Sequence, residues 1–173
     1  SGAALEQEYS DASQVVINKD GALTSSDEWK NYPDGIRIEE YKGETYNAHI
    51  MIIRDPSQVY MATSTEKYSV NIPGKRITEM MEANPDAIAA VNAGAFNDDG
   101  TTGSYVGSLP VGMVVSKGKV VWDDGQNYEG FVGFNEDNVL VVAKEMTQKK
   151  ADELKIRDGC EFGPVLIING EIN

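Results

Sequence analysis

The residues best suited to chemistry are gathered in one stretch, 87–100, which reads Ala-Ile-Ala-Ala-Val-Asn-Ala-Gly-Ala-Phe-Asn-Asp-Asp-Gly. An apolar run passes there directly into glycine, carboxamides and carboxylates. Asn92 stands where a strand is expected to end, and its amide can both donate to and accept from a ligand. Gly94 has no Cβ and lets backbone come close to a bound molecule. Phe96 adds an apolar face, and Asp98 offers a carboxylate for acid or base work at a loop tip. The same residues also suit a tight strand-to-loop turn with a solvated acidic tip, and the pattern alone does not separate the two readings.

The run Asn97-Asp98-Asp99-Gly100 invites a divalent cation such as calcium. It departs from the EF-hand template, because Ala95 occupies the first ligand position and Val106 the last, where a bidentate Glu belongs. No cofactor is therefore assigned, and a looser calcium site stands beside the plain reading of a solvated turn. Further on, Gly103, Gly107 and Gly112 surround Tyr105 and Pro110, which suits a loop whose aromatic covers a sugar by stacking. The loop lacks the Gly-Lys-Ser/Thr ending of a P-loop and does not fit the spacing of a dinucleotide fingerprint.

His49 is the only histidine and Cys160 the only cysteine. This excludes an internal disulfide and argues against a zinc site built by this chain alone. His49 lies mid-strand, as a structural residue or a polar contact to substrate. No nucleophile elbow is present. Glu161 precedes Phe162-Gly163-Pro164, a forced turn into the last apolar strand. It reads as a candidate acid or base, or as a surface carboxylate, and Cys160 beside it as a small buried hydrophobe.

The elements that position these residues are short. The 173-residue chain is 40 % hydrophobic and 25 % charged, enough for one domain with a core of its own. Residues 1–34 read as an extended arm or edge element, with a short strand over 14–18. Strands are expected at 35–41, 46–53 and 59–63. A helix is expected over about 76–83, where Ile77, Met80 and Met81 share a face and Asn84-Pro85 ends it. A buried strand of small residues follows at 87–92. Hairpins are expected around Lys117-Gly118 and around 136–138, then a helix capped by Thr147. The fold class is α+β: a mixed, mostly antiparallel sheet with a few short helices. The last strand, 165–168, meets Asn169-Gly170 with only three residues left to return. The ending thus reads as interrupted, and the chain as a fragment that is truncated, nicked or disordered after Asn173.

The order of four segments resembles the phosphodiester glycosidase family. They are 46–55 with His49 inside an apolar strand, A-A-V-N-A-G-A-F at 89–96, L-P-V-G-M-V-V-S-K-G-K-V-V at 109–121, and F-G-P-V-L-I-I-N-G at 162–170. The resemblance covers 35–173. It implies that the turn of Asn92, Gly94 and Phe96 lies at a sugar-phosphate site, with Ala93 and Ala95 replacing two residues of the usual pattern, and that Gly163-Pro164 forms a matching turn. The family's later arginine-containing and N-L-D-G-G segments are absent, so the resemblance implies that a missing C-terminal part supplies the other wall.

The activity so implied is hydrolysis of a glycosidic phosphodiester in a cell-surface or exopolysaccharide glycan. The protein would be extracellular or surface-anchored, with an upstream signal or anchor removed. The competing reading is a non-catalytic glycan-binding surface domain, with Tyr105 and Trp122 as stacking platforms. Fifteen Lys plus Arg against 28 Asp plus Glu give a formal charge of −13. That field repels phosphate backbones, so nucleic acid is not an expected partner.

Overall fold

A computed structural model describes residues 14–17, 29–97, 107–168 and 171–173. Its contacts divide the chain into two units, Lys19–Val59 and the remainder. The larger unit is built on a six-stranded antiparallel sheet in the order β1-β9-β8-β10-β6-β7. The strands are β1 (Gln14–Ile17), β6 (Val114–Ser116), β7 (Lys119–Trp122), β8 (Phe131–Asn135), β9 (Leu140–Ala143) and β10 (Ile156–Glu161). The mostly antiparallel α+β architecture expected from the sequence is the one observed.

Period-two alternation explains the centre of this sheet. Along β8, Phe131, Gly133 and Asn135 are buried while Val132 between them is 43 % exposed. Phe131 pairs with Ala143 on one side and Glu161 on the other. The buried face joins Met113, Val115, Phe131, Val141 and Ala143 to Ala151, Leu154 and Ile156. Ala151 lies on helix α2 (Gln148–Glu153) and Leu154 is its C-cap. As expected, Thr147 caps α2, its hydroxyl accepting from the Lys150 N–H at 3.2 Å. Two turns show their chemistry plainly. Lys117 and Gly118 both take positive φ (52° and 72°), as a two-residue hairpin between right-twisted strands requires. The buried Asn135 carboxamide accepts from the N–H groups of Asp137 (3.0 Å) and Val139 (2.9 Å), closing the β8–β9 turn.

Helix α1 (Ile77–Glu82) forms where the apolar spacing places it. Three expectations fail. Residues 87–92 are not a buried strand: they pair with no strand among the described residues, and Ile88 and Val91 are 73 % and 86 % exposed. An apolar run becomes a strand only where a ladder partner satisfies its backbone, and no described residue supplies one here. Residues 59–63 form no strand either. The apolar run 165–168 contributes only β11 (Ile167–Ile168), paired with β12 (Glu171–Ile172) in a two-stranded hairpin that leaves Leu166 and Ile167 exposed. Two short strands, β4 (Phe96–Asn97) and β5 (Leu109–Pro110), pair antiparallel.

The smaller unit is a hairpin of β2 (Ile36–Lys42) and β3 (Asn47–Ile53), paired from Ile36↔Ile53 to Lys42↔Asn47. Trp29 is buried, edge-on to Tyr32 at 6.2 Å between ring centroids, with the Arg37 guanidinium 5.7 Å from its own ring centroid. No helix among the described residues is long and apolar enough to cross a membrane.

Candidate functional site

Three close approaches converge at the C-terminal end of β10, each at a glycine. At Gly94, a Cβ would stand 3.2 Å from the Cys160 Cβ and 3.3 Å from the Glu161 carbonyl oxygen. The loop of Asn92 and Gly94 is therefore laid against the end of β10. At Gly163, a Cβ would run into the Tyr128 carbonyl oxygen, and at Gly130 one would stand 2.8 Å from the Gly163 Cα. The Gly163-Pro164 turn, which contains a cis peptide bond, is thus packed backbone to backbone on residues 128–130. The Phe162 N–H donates to the Gly130 carbonyl at 2.7 Å. At Gly112, φ is +70° and a Cβ would stand 2.7 Å from that of Glu161, on top of its carboxyl.

Of the residues expected at the site, Asn92, Gly94, Phe96, Glu161, Gly163 and Pro164 belong to this one region of the larger unit. Phe96 is 48 % exposed and is tied in through its pairing with Pro110 and the bond from the Val111 N–H to the Ala95 carbonyl (2.9 Å). Asn92 is exposed. His49 belongs to the smaller unit, where it stands opposite Glu40 with Nδ1 3.9 Å from the carboxylate and its side chain 68 % exposed. Asp98 and Tyr105 lie outside the described residues, as do Asp98, Asp99 and Gly100 of the calcium reading. Among the described residues no three His, Cys, Asp or Glu side chains are placed to hold a metal ion.

Glu161 is the unusual member. Alternation along β10 turns Cys160 toward Gly94 and sends the Glu161 side chain to the core face, beside Phe131 and Met113. It is 1 % exposed, and its Oε2 has no hydrogen-bond partner among the described residues. Burial pushes its carboxyl above the ordinary range. The charges of Asp123 and Asp124 push the same way, against donation from the Tyr128 and Met113 N–H groups. Nothing in the sequence marks these neighbours, because Asp123-Asp124-Gly125 looks like any polar turn. Asp124 does more than turn the chain: its Oδ2 accepts from the Gly112 N–H and from the Tyr128 hydroxyl, both at 3.1 Å.

Cys160 is 4 % exposed, and burial, helped by the Glu161 charge, pushes its thiol up to about 11. The thiolate is the reactive form, so the folded protein should resist alkylation at mildly alkaline pH, whereas denatured protein should label fully. Rapid labelling of the native state, read by intact mass, would contradict this placement. Trp122, the other candidate stacking platform, is half-buried with Tyr68 edge-on at 5.8 Å, and its buried indole N–H has no partner among the described residues.

Residues 85–173, just over half of the chain, match the family model described as Phosphodiester glycosidase. No curated protein and no solved structure matches the chain. The matched segment begins two residues before the 87–100 stretch and contains every glycine contact just described.

Proposed function

Because the chain belongs to the phosphodiester glycosidase family, we propose that it hydrolyses the bond between a sugar's anomeric carbon and a phosphodiester oxygen. The substrate would be a cell-surface or exopolysaccharide glycan, met outside the cell. The observation that carries the proposal is the coincidence of the family match with the convergence at the end of β10. Residues that the match spans are the ones drawn together by Gly94, Gly112 and Gly163.

The reaction adds water across the bond. The water oxygen joins the anomeric carbon, the phosphate monoester leaves with the former bridging oxygen, and the two protons of water end on the products. Such a step needs a base for the water, donors for the phosphate oxygens, and contacts that strengthen as positive charge grows on the sugar. Asn92, exposed at the loop, would hold a sugar hydroxyl or amide. Backbone N–H groups near Gly94 would face the phosphate, and Asp98 would exchange the proton. Phe96 and Tyr105 would offer apolar faces to the ring, and Gly163-Pro164 would bound the site on its other side.

Release of free sugar from an N-acetylglucosamine phosphodiester of an aryl alcohol tests the proposal. Turnover with saturation kinetics is the expected result. Binding of the glycan without turnover would replace the proposal by the glycan-binding reading.

A further inference from the structure

Residues 123–130 turn the chain from β7 to β8 by a repeated device. Three side-chain oxygens each accept from the N–H two residues on: Asp123 from Gly125 (2.8 Å), Asp124 from Gln126 (2.9 Å) and Asn127 from Glu129 (2.8 Å). That is the chemistry of a polar turn, and the turn needs nothing more. Asp123 and Asn127 are exposed accordingly, whereas Asp124 is half-buried. Its second oxygen leaves the turn. Oδ2 accepts from the Gly112 N–H, twelve residues back, and from the Tyr128 hydroxyl, each at 3.1 Å. One carboxylate oxygen thus joins two segments of the chain.

Each segment carries one side of the site. Gly112 follows Val111, whose N–H donates to the Ala95 carbonyl at 2.9 Å, next to Gly94 of the exposed Asn92 loop. The Glu161 side chain fills the space a Cβ at Gly112 would take, so this segment lies close against the end of β10. Tyr128 belongs to the other side. Its carbonyl oxygen meets Gly163, and Gly130 packs on the Gly163 Cα and accepts from the Phe162 N–H at 2.7 Å.

We propose that Asp124 is a positioning residue: by holding the Gly112 N–H and the Tyr128 hydroxyl on one oxygen, it sets the Asn92–Gly94 loop against the Gly163-Pro164 turn. Its use in catalysis rests on the proposed function; the link itself does not. The acceptor oxygen, not the charge, makes the link. Asp124→Asn can aim its one oxygen at Gly112 and Tyr128 and leave the exposed Gln126 N–H to water. Asp124→Ala leaves both donors without an acceptor.

Amide hydrogen exchange at Val111, Gly112 and Phe162 tests the link in wild type, Asp124→Ala, Asp124→Asn and Tyr128→Phe. In Asp124→Ala all three should exchange about tenfold faster or more, while Val115 and Val141 in the core keep their protection. In Asp124→Asn all three should stay close to wild type. In Tyr128→Phe the Phe162 amide should quicken and that of Gly112 should not. Unchanged exchange at Val111 and Phe162 in Asp124→Ala would overturn the proposal. Equal loss across the core, or exchange in Asp124→Asn as fast as in Asp124→Ala, would do the same. If Asp124→Ala does not fold, Tyr128→Phe decides: unchanged exchange at Phe162 would overturn the link.

Turnover of the sugar phosphodiester should fall about tenfold in Asp124→Ala and recover in Asp124→Asn. Added to Asn92→Ala, Asp124→Ala should cost much less than it does alone, because the loop it positions has already lost the group it presents. Full additivity of the two losses would contradict action through that loop. Absence of sugar release by the wild type would sink the proposed function and leave the exchange results standing, so the two failures are distinguishable.

Discussion

Phe131→Ala should lower the stability of the larger unit by about 3–5 kcal/mol, the usual cost of emptying an aromatic site in a packed core. Phe131 is 1 % exposed and stands at the centre of the sheet, opposite Ala143 and Glu161. Its ring lies over Gly133 and Gly159, filling the space two side chains would otherwise occupy. The two glycines beneath the ring carry no side chains that could swing in to fill the cavity. The control is its neighbour: Val132, on the other face and 43 % exposed, should lose far less on truncation to Ala. Denaturant unfolding followed by near-ultraviolet circular dichroism would read both. Similar losses at 131 and 132 would mean that the core face is misassigned.

Asn92→Ala should lower turnover of the sugar phosphodiester by about a hundredfold, the scale on which removing one placed hydrogen-bonding group acts. Folding should be nearly untouched. Asn92 is exposed, and surface substitutions of this kind stay within about 0.5 kcal/mol. The separation of the two effects is the content of the prediction. A residue that merely shapes the turn would cost stability and activity together, whereas one that meets substrate costs activity alone. Turnover by Asn92→Ala at the wild-type rate would remove the 87–100 stretch from the site.

What the sequence disclosed depended on whether the relevant interaction was local. Helix α1 could be read because Ile77, Met80 and Met81 carry the helical spacing and Pro85 stops it. The β6–β7 hairpin could be read because Lys117-Gly118 suits a two-residue turn on its own. Residues 87–92 could not, because an apolar run looks alike whether or not a partner strand reaches it, and pairing is a non-local fact. Glu161 shows a subtler failure. Plain alternation along 156–161 would put Ile156 and Cys160 on one face. Instead the register shifts between Ile156 and Asp158, so that Ile156, Gly159 and Glu161 share the core face. A bulge re-aims every side chain beyond it, and nothing in Ile-Arg-Asp-Gly-Cys-Glu announces one. The three glycine contacts at Gly94, Gly112 and Gly163 were each visible as glycines; that they meet around one strand end was not.

The central claim is that water attacks the anomeric carbon, which is what makes the reaction glycosidic and not merely phosphodiester cleavage. Hydrolysis of the N-acetylglucosamine phosphodiester in heavy-oxygen water, followed by mass spectrometry of the phosphate monoester, tests it most directly. The monoester should carry no heavy oxygen from the solvent. A monoester labelled with one solvent oxygen would mean that water had attacked phosphorus, and would contradict the account.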